Sequence, residues 1–241
     1  MKKTIKKLVK KIPIAFTKNQ QYDRQTNKII KQVCSSHTNC VDIGAHKGEV
    51  LDIMLKHAPM GEHYAFEPIP VMYNALKEKY ASHSNCHISD VALSDAKGTS
   101  TFNFVISNPS YSGLVKRKYD RENEQDTLIE VKTELLDNIL PAGYKVDLMK
   151  IDVEGGEYNV MKGAVNTIKK YKPVIIFEHG LGASDYYGST PAQVYQLLSD
   201  CGLQVSTLKN WLAKKTGLSL KEFENLYRTN TEYYFIAYSN I

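Results

Sequence analysis

Cysteine is scarce in this chain: four in 241 residues, at positions 34, 40, 86 and 201, with no Cys-x-x-Cys pair. That argues against a disulfide framework or a closely spaced zinc site, and reads as the reduced thiols of a cytoplasmic protein. No run of 18 apolar residues occurs, so no membrane-spanning helix is expected. Repeats and low-complexity tracts are missing too. Acids are absent from residues 1–22, which hold seven lysines; with +5 overall, residues 23–241 carry −2. A nucleic-acid partner needs a basic face, and outside that segment none is expected.

The lysine-rich start is patterned. Ile5, Leu8, Val9 and Ile12 fall on one helical face with lysines on the other, and Pro13 ends the run. Such a helix suits peripheral contact with an anionic membrane; the plainer reading is a solvated helix with one docked stripe. Its lysines interrupt the apolar core that a secretory signal would need. Tyr22, Ile29, Ile30 and Val33 predict a second helix. We therefore divide the chain into a basic, helical extension over 1–36 and one domain over 37–241; the 42% apolar content of the whole chain supports a sizeable core.

That domain is organised around Cys40-Val-Asp-Ile-Gly-Ala-His-Lys-Gly48, a short apolar strand, a glycine turn, and then helical spacing at Val50, Leu51, Met54 and Leu55. Strand, glycine turn and helix make a nucleotide-type site, because glycines admit close backbone approach and the helix start offers free N–H groups. The turn is not the dinucleotide fingerprint G-x-G-x-x-G: Ala45, His46 and Lys47 separate Gly44 from Gly48, and the middle glycine is missing. Asp42 would repel a pyrophosphate but suits a cationic ligand such as S-adenosylmethionine. Glu67 ends the next apolar strand, 25 residues after Asp42, where a carboxylate can take both ribose hydroxyls. The residues favour S-adenosylmethionine over NAD.

Asp42-Ile-Gly-Ala-His-Lys-Gly48, Ala65-Phe-Glu-Pro68, Asp90-Val-Ala-Leu-Ser-Asp95, Lys150-Ile-Asp-Val-Glu-Gly155 and Pro173-Val-Ile-Ile-Phe-Glu178 together resemble the successive motifs of FkbM-type methyltransferases. The resemblance covers roughly residues 40–180. It implies an α/β class I methyltransferase, Rossmann-like fold: a seven-stranded, mostly parallel sheet with an antiparallel last strand. An inserted β-hairpin and N-terminal helices complete the expected fold, and residues 20–35 would cover the cofactor pocket. It also implies S-adenosylmethionine held by Asp42, Gly44, Ala45, His46, Gly48, Glu67, Pro68, Asp90, Val91, Ala92 and Asp152. Asp90 and Val91 would hold the adenine. His46 departs from the asparagine usual in the family. The implied chemistry is O-methylation of a sugar, glycan or natural-product acceptor.

Further along, Phe102-Asn-Phe-Val-Ile-Ser-Asn-Pro-Ser-Tyr111 resembles the Asn-Pro-Pro-Tyr element of amino-group methyltransferases. Only seven residues (94–100, with Gly98) separate the strand over 87–93 from the one over 101–106 that leads into it, too few for a parallel crossover. An antiparallel hairpin of 87–93 with 101–106 is expected, which takes Asn108 away from the reacting edge. The charged stretch 107–125 reads either as a substrate-side loop or as plain exposed chain. Strand 146–152, a helix over 158–168, strand 173–177, a helix capped by Thr190-Pro191, strand 203–206 and strand 233–238 follow, and a helical insertion over 208–228 could cap the substrate.

Asp42, Glu67, Asp90, Asp152 and Glu178 all fall at expected strand ends, where doubly wound sheets bind ligands. Candidates for a general base are Asp152, Glu154, Glu178 and His179. Glu157, in a helix's first turn, reads as structural. A lone histidine after a strand is also commonly structural. A divalent metal held by these acids stands as an alternative, but acid count alone is weak evidence for it, and no metal ligand is assigned. An amino-group methyltransferase and a nonenzymatic S-adenosylmethionine-binding module stand as alternatives.

Overall fold

The computed structural model describes residues 17–119, 121 and 123–239. The lysine-rich helix expected over 5–12 lies outside them. Chain order begins with α1 (Lys18–Val33), β1 (Cys40–Ile43), α2 (Glu49–His57), β2 (His63–Phe66), α3 (Pro70–Lys79) and β3 (Cys86–Ser89). A smaller sheet follows, from β4 (Val91–Leu93), β5 (Gly98–Val105) and β6 (Asp126–Glu134), then α4 (Leu136–Ile139). The chain returns through β7 (Leu148–Ile151), α5 (Glu157–Lys162), α6 (Val165–Tyr171), β8 (Val174–Glu178) and α7 (Pro191–Asp200). It finishes with β9 (Gln204–Thr207), α8 (Leu208–Leu212), α9 (Leu220–Arg228) and β10 (Tyr234–Tyr238).

The main sheet has seven strands in the order β3-β2-β1-β7-β8-β10-β9. Every pairing is parallel except the two made by β10, which runs antiparallel to both β8 and β9. This is the expected class I methyltransferase, Rossmann-like architecture. Side chains alternate between sheet faces with period two, so register decides which residues meet. Val41, Ile43, Met149, Ile151, Ile175, Phe177, Phe235 and Ala237 face one way, into a core shared with Val160, Val194, Leu198 and Phe223. Cys40, Leu148, Ile176 and Ile236 face the other, against Ile29 and Ile30 of α1 and Leu51 and Met54 of α2. Each such fully buried aliphatic contributes on the order of 1.5–3 kcal/mol.

The hairpin takes a different form from the expected one. Residues 87–93 do not make one strand. They break at Asp90, β3 staying in the main sheet while β4 joins the small sheet of order β4-β6-β5. β5 pairs antiparallel with β6, not with β4, and β4 pairs β6 in parallel. The long, polar connection over 106–125 hid this partner: β6 lies further along the chain than the nearest candidate. The helix expected over 158–168 is likewise broken in two. At the break, a Cβ on Gly163 would stand 2.0 Å from the Ser94 carbonyl oxygen, so only glycine lets α5 end against the β4 exit. The expected helical insertion 208–228 divides into α8 and α9, which pack on opposite faces through Leu208 and Phe223. Neither lines the cavity described below, which corrects the expectation of a substrate cap.

Three helices begin with reciprocal capping boxes, at Thr17/Gln20, Thr190/Gln193 and Ser219/Glu222. Each satisfies two backbone donors that a helix start otherwise leaves open. No helix among the described residues is long and apolar enough to cross a membrane.

Candidate active site

The carboxyl ends of β1, β2, β7 and β8 open into a cavity of about 1240 Å³. Its roof is made by α1 through Asn19, Tyr22, Asp23 and Thr26, by part of the 107–119 loop, and by the turn at 180–187. A single small-molecule site usually takes ~300–1,000 Å³, so this space suits two ligands side by side.

The floor is built by register. Asp42 lies beside Lys150 on neighbouring strands, and Tyr234 lies beside Glu178. Asp152, two residues beyond Lys150 on the same face, falls level with Glu178. Past β1 the ladder continues, the N–H groups of Gly44 and Ala45 both donating to the Phe66 carbonyl at 3.0 Å. Gly44 has φ +78°, and a Cβ there would come within 1.8 Å of the Asp152 carbonyl oxygen. A side chain at 44 would therefore force the glycine turn off the end of β7. Gly48 caps the start of α2, again with positive φ.

Lys150 is only 7% exposed, and its Nζ stands 3.0 Å from Asp152 and 3.9 Å from Asp42. Burial works against its charge, but those two carboxylates outweigh it and raise its pKa. Asp42 is wholly buried, and neither carboxylate oxygen has a hydrogen-bond partner among the described residues. Burial pushes its pKa up despite Lys150. Glu67 accepts from the His46 N–H at 2.8 Å and the Ile69 N–H at 3.0 Å, yet burial still lifts it to about 7.

Asp152 differs from the acids around it. Burial pulls its pKa upward, but Lys150 and the Tyr234 hydroxyl, which donates to Oδ2 at 2.5 Å, bring it below the usual value. Glu178 is pushed well above its ordinary value, first by burial and then by Asp152, Glu154 and Glu157. Glu154 rises to about 8 through burial and Asp152, although Arg117 pairs with it. Glu157 accepts from the Val153 and Gly155 N–H groups, each at 3.0 Å, holding the turn that leads into α5. Asp152 is therefore the most acidic carboxyl of this group, and Glu178 is the one driven toward its protonated form.

Four expected site residues do not line the cavity: Asp42 and Gly48, next to residues that do, and His179 and Asp90, which are turned away from it. His179 follows Glu178, so it points to the opposite sheet face. It is fully buried there, 5.0 Å from the Tyr227 ring and 5.9 Å from that of Phe223, and does not line the cavity. Burial lowers its pKa to about 4. Asp90 sits at the switch between sheets, where its carboxylate turns outward to Lys132 at 3.5 Å and is 45% exposed. The same switch turns Val91 and Ala92 into the cavity wall, beside Phe66, Pro68 and Ile69.

A family model described as a methyltransferase FkbM domain matches residues 42–205. The chain belongs to the FkbM methyltransferase family. Its cofactor is S-adenosylmethionine. Methyltransferase sdnD of Sordaria araneosa is 28% identical over 152 residues, which are 51% of this chain and 59% of that protein. The solved structure of Methyltransferase FkbM from Methylobacillus flagellatus KT matches with a TM-score of 0.52 at 16% identity, covering 85% of this chain and 44% of that one. The chain thus spans about half the length of these relatives. At that identity the structural likeness speaks for the fold alone.

The FkbM site fits the cofactor. Asp152, Glu154 and Glu178, which line the cavity, suit a molecule carrying ammonium and sulfonium charges, and Asp42 lies fully buried near them with neither oxygen hydrogen-bonded among the described residues. Glu67, at the foot of the glycine turn, brings a carboxylate to the cavity, and Phe66, Ile69, Val91 and Ala92 line it with an apolar wall; these are the residues that would hold a ribose and a purine. Lys150, Tyr234, Tyr22 and Arg117 went unnoticed as site residues in the sequence. For Lys150 a signal existed: a lysine inside the apolar run Leu148–Ile151 is buried and must face a counter-charge.

Proposed function

We propose that the chain transfers a methyl group from S-adenosylmethionine to a hydroxyl of a sugar, glycan or natural-product acceptor. Residues 37–241 act as the catalytic domain in this reading, with α1 as its roof. The observation that carries it is Asp152, ionised at the end of a central strand and facing a cavity large enough for cofactor and acceptor together.

S-adenosylmethionine supplies an already activated methyl group, so the protein's work is alignment, exclusion of water and proton removal. Asp42 and Glu67 hold the cofactor's charged and ribose groups. Asp152 faces the acceptor oxygen and takes its proton, or stabilises the positive charge that the oxygen gains as it accepts the methyl group. Glu178, driven toward its protonated form by burial and its acidic neighbours, is poorly suited as base, and Glu154 is engaged by Arg117. Tyr111, Tyr119, Tyr186 and Tyr187 give the acceptor half flat walls with hydroxyl edges, suited to a ligand with both apolar faces and hydroxyls.

The amino-group alternative is opposed by topology. Asn108 precedes a short 3-10 turn at Pro109–Tyr111 beyond β5 of the small sheet, not at the end of a main-sheet strand, and it does not line the cavity. Release of S-adenosylhomocysteine across sugars, polyketides and peptides would find the acceptor. In that assay Asp152→Asn should lower turnover about 10²–10⁴-fold, and Asn108→Ala far less. Loss of transfer in Asn108→Ala with Asp152→Asn tolerated would point to a planar amine instead.

A further inference from the structure

We propose that Tyr234 is a positioning residue, holding the Asp152 carboxylate as a charge turned toward the cofactor's sulfonium end of the cavity. The inference rests on the reading of Asp152 given above and adds the group that controls it.

β10 is the one strand of the main sheet that runs antiparallel to its neighbours, so its first residue, not its last, lies at the carboxyl edge. That residue is Tyr234, paired in register with Glu178 and donating its hydroxyl hydrogen to Asp152 Oδ2 at 2.5 Å. Lys150 Nζ reaches the same oxygen at 3.0 Å. Two donors on one oxygen fix the plane of the carboxylate. The Tyr234 ring is itself fixed: it stacks on Tyr22 of α1, centroids 5.0 Å apart and planes 28° apart. Tyr22 is held in turn by donating to Glu232 at 2.5 Å and accepting from the Tyr233 N–H at 3.3 Å. A hydroxyl locked this way has one acceptor, and that acceptor borders the cavity.

The groups acting on Asp152 come from every side: Lys150 on its own strand, Glu178 on β8, Asp42 on β1, His46 in the glycine turn, and Glu154 and Glu157 in the turn before α5. Lys150 and the Tyr234 hydroxyl both donate to Asp152 Oδ2, and the Glu178 carboxyl is hydrogen-bonded to the same carboxylate. Lys150 is shared with Asp42, whereas the Tyr234 hydroxyl serves Asp152 alone. Removing that hydroxyl makes the carboxylate easier to protonate and frees it to turn.

The test needs no acceptor. S-adenosylmethionine carries the sulfonium and S-adenosylhomocysteine does not, so the ratio of their affinities reads the charge on Asp152. Calorimetry of both on the full chain from about pH 2.5 to 5.5, below the range in which Glu67, Glu154 and Glu157 titrate, should show the ratio falling on acidification, because Asp152 takes up its proton below the usual aspartate value. In Tyr234→Phe, which keeps the ring stack, the midpoint of that fall should move up by about one pH unit. The preference for S-adenosylmethionine near that midpoint should drop by up to about tenfold. In Asp152→Asn the Asp152-dependent fall should vanish, and adding Tyr234→Phe should change nothing more. A wild-type midpoint in Tyr234→Phe, with the fall abolished in Asp152→Asn, would overturn the proposal and leave the reading of Asp152 standing. A shift by Tyr234→Phe that persists in the Asp152→Asn background would overturn it by assigning the hydroxyl to another group. A wild-type fall in Asp152→Asn would overturn the reading of Asp152 itself.

Discussion

Burial of a carboxylate bonded only to backbone N–H groups sets Glu67 and Glu157 apart from the other site acids, and it has opposite consequences for binding and for stability. Glu67 meets the proposed ribose diol with a carboxylate already held in place by two N–H groups. Glu67→Ala should weaken S-adenosylmethionine and S-adenosylhomocysteine alike by about tenfold or more, since charge-assisted hydrogen bonds of ~1.5–3 kcal/mol each are lost. Calorimetry reads this directly, and an unchanged Kd would remove Glu67 from the cofactor site. The same burial acts on folding. Glu67 and Glu157 are both raised from their ordinary value to about 7, so the folded chain keeps protons that the unfolded chain has released. Their contribution to stability is full below the unfolded carboxylate pKa and is lost as pH rises through about 7. Glu157→Gln still accepts from the Val153 and Gly155 N–H groups but carries no charge to bury. Its Tm should therefore gain on wild type between pH 6 and pH 8.5. A parallel pair of Tm profiles would show that Glu157 is not protonated in the fold.

Elements were legible in the sequence wherever their own periodicity defines them, and less so where a distant partner does. The strands at 40–43, 63–66, 148–151 and 174–178 announce themselves as short apolar runs, and the acids at their ends follow from chain direction. What periodicity does not carry is pairing. β5 takes β6 across the 106–125 loop because β4 is already committed to the other side of β6. Asp90 and His179 fail for a related reason. Being at a strand end does not fix which face a residue occupies, and a one-residue step past Glu178 or a change of sheet at Ser89 reverses it. Gly163 is the sharpest case of an element set from outside: the helix break there is imposed by the Ser94 carbonyl, not by local preference. Gly163→Ala should cost ~1–3 kcal/mol of unfolding free energy in urea, through overpacking of a backbone contact that cannot yield. A cost within a few tenths of zero would mean that α5 and β4 can part without penalty.

For the whole molecule, charge and topology pull the two ends of the domain toward one place. Residues 1–16 hold six of the lysines and join α1 close to Asn19, at the rim of the cavity. If this segment recruits the chain to anionic surfaces, deleting residues 1–16 should abolish sedimentation with phosphatidylserine vesicles and leave cofactor affinity within about twofold. Vesicle binding that survives the deletion would place the membrane contact elsewhere or nowhere. The clasp between α1 and β10 has a consequence of another kind. The Tyr22 hydroxyl and its Glu232 partner are 210 positions apart in the chain, and Tyr234 lies just beyond. During synthesis, the glycine turn and most of the parallel sheet can assemble while the ribosome is still reading the codons for residues 200 and beyond. The cavity then lacks both the strand that supplies Tyr234 and the contact that seats its roof. Cofactor capture is thereby deferred until nearly all of the described chain has emerged, so a stalled or truncated product would hold a recognisable sheet and no working site.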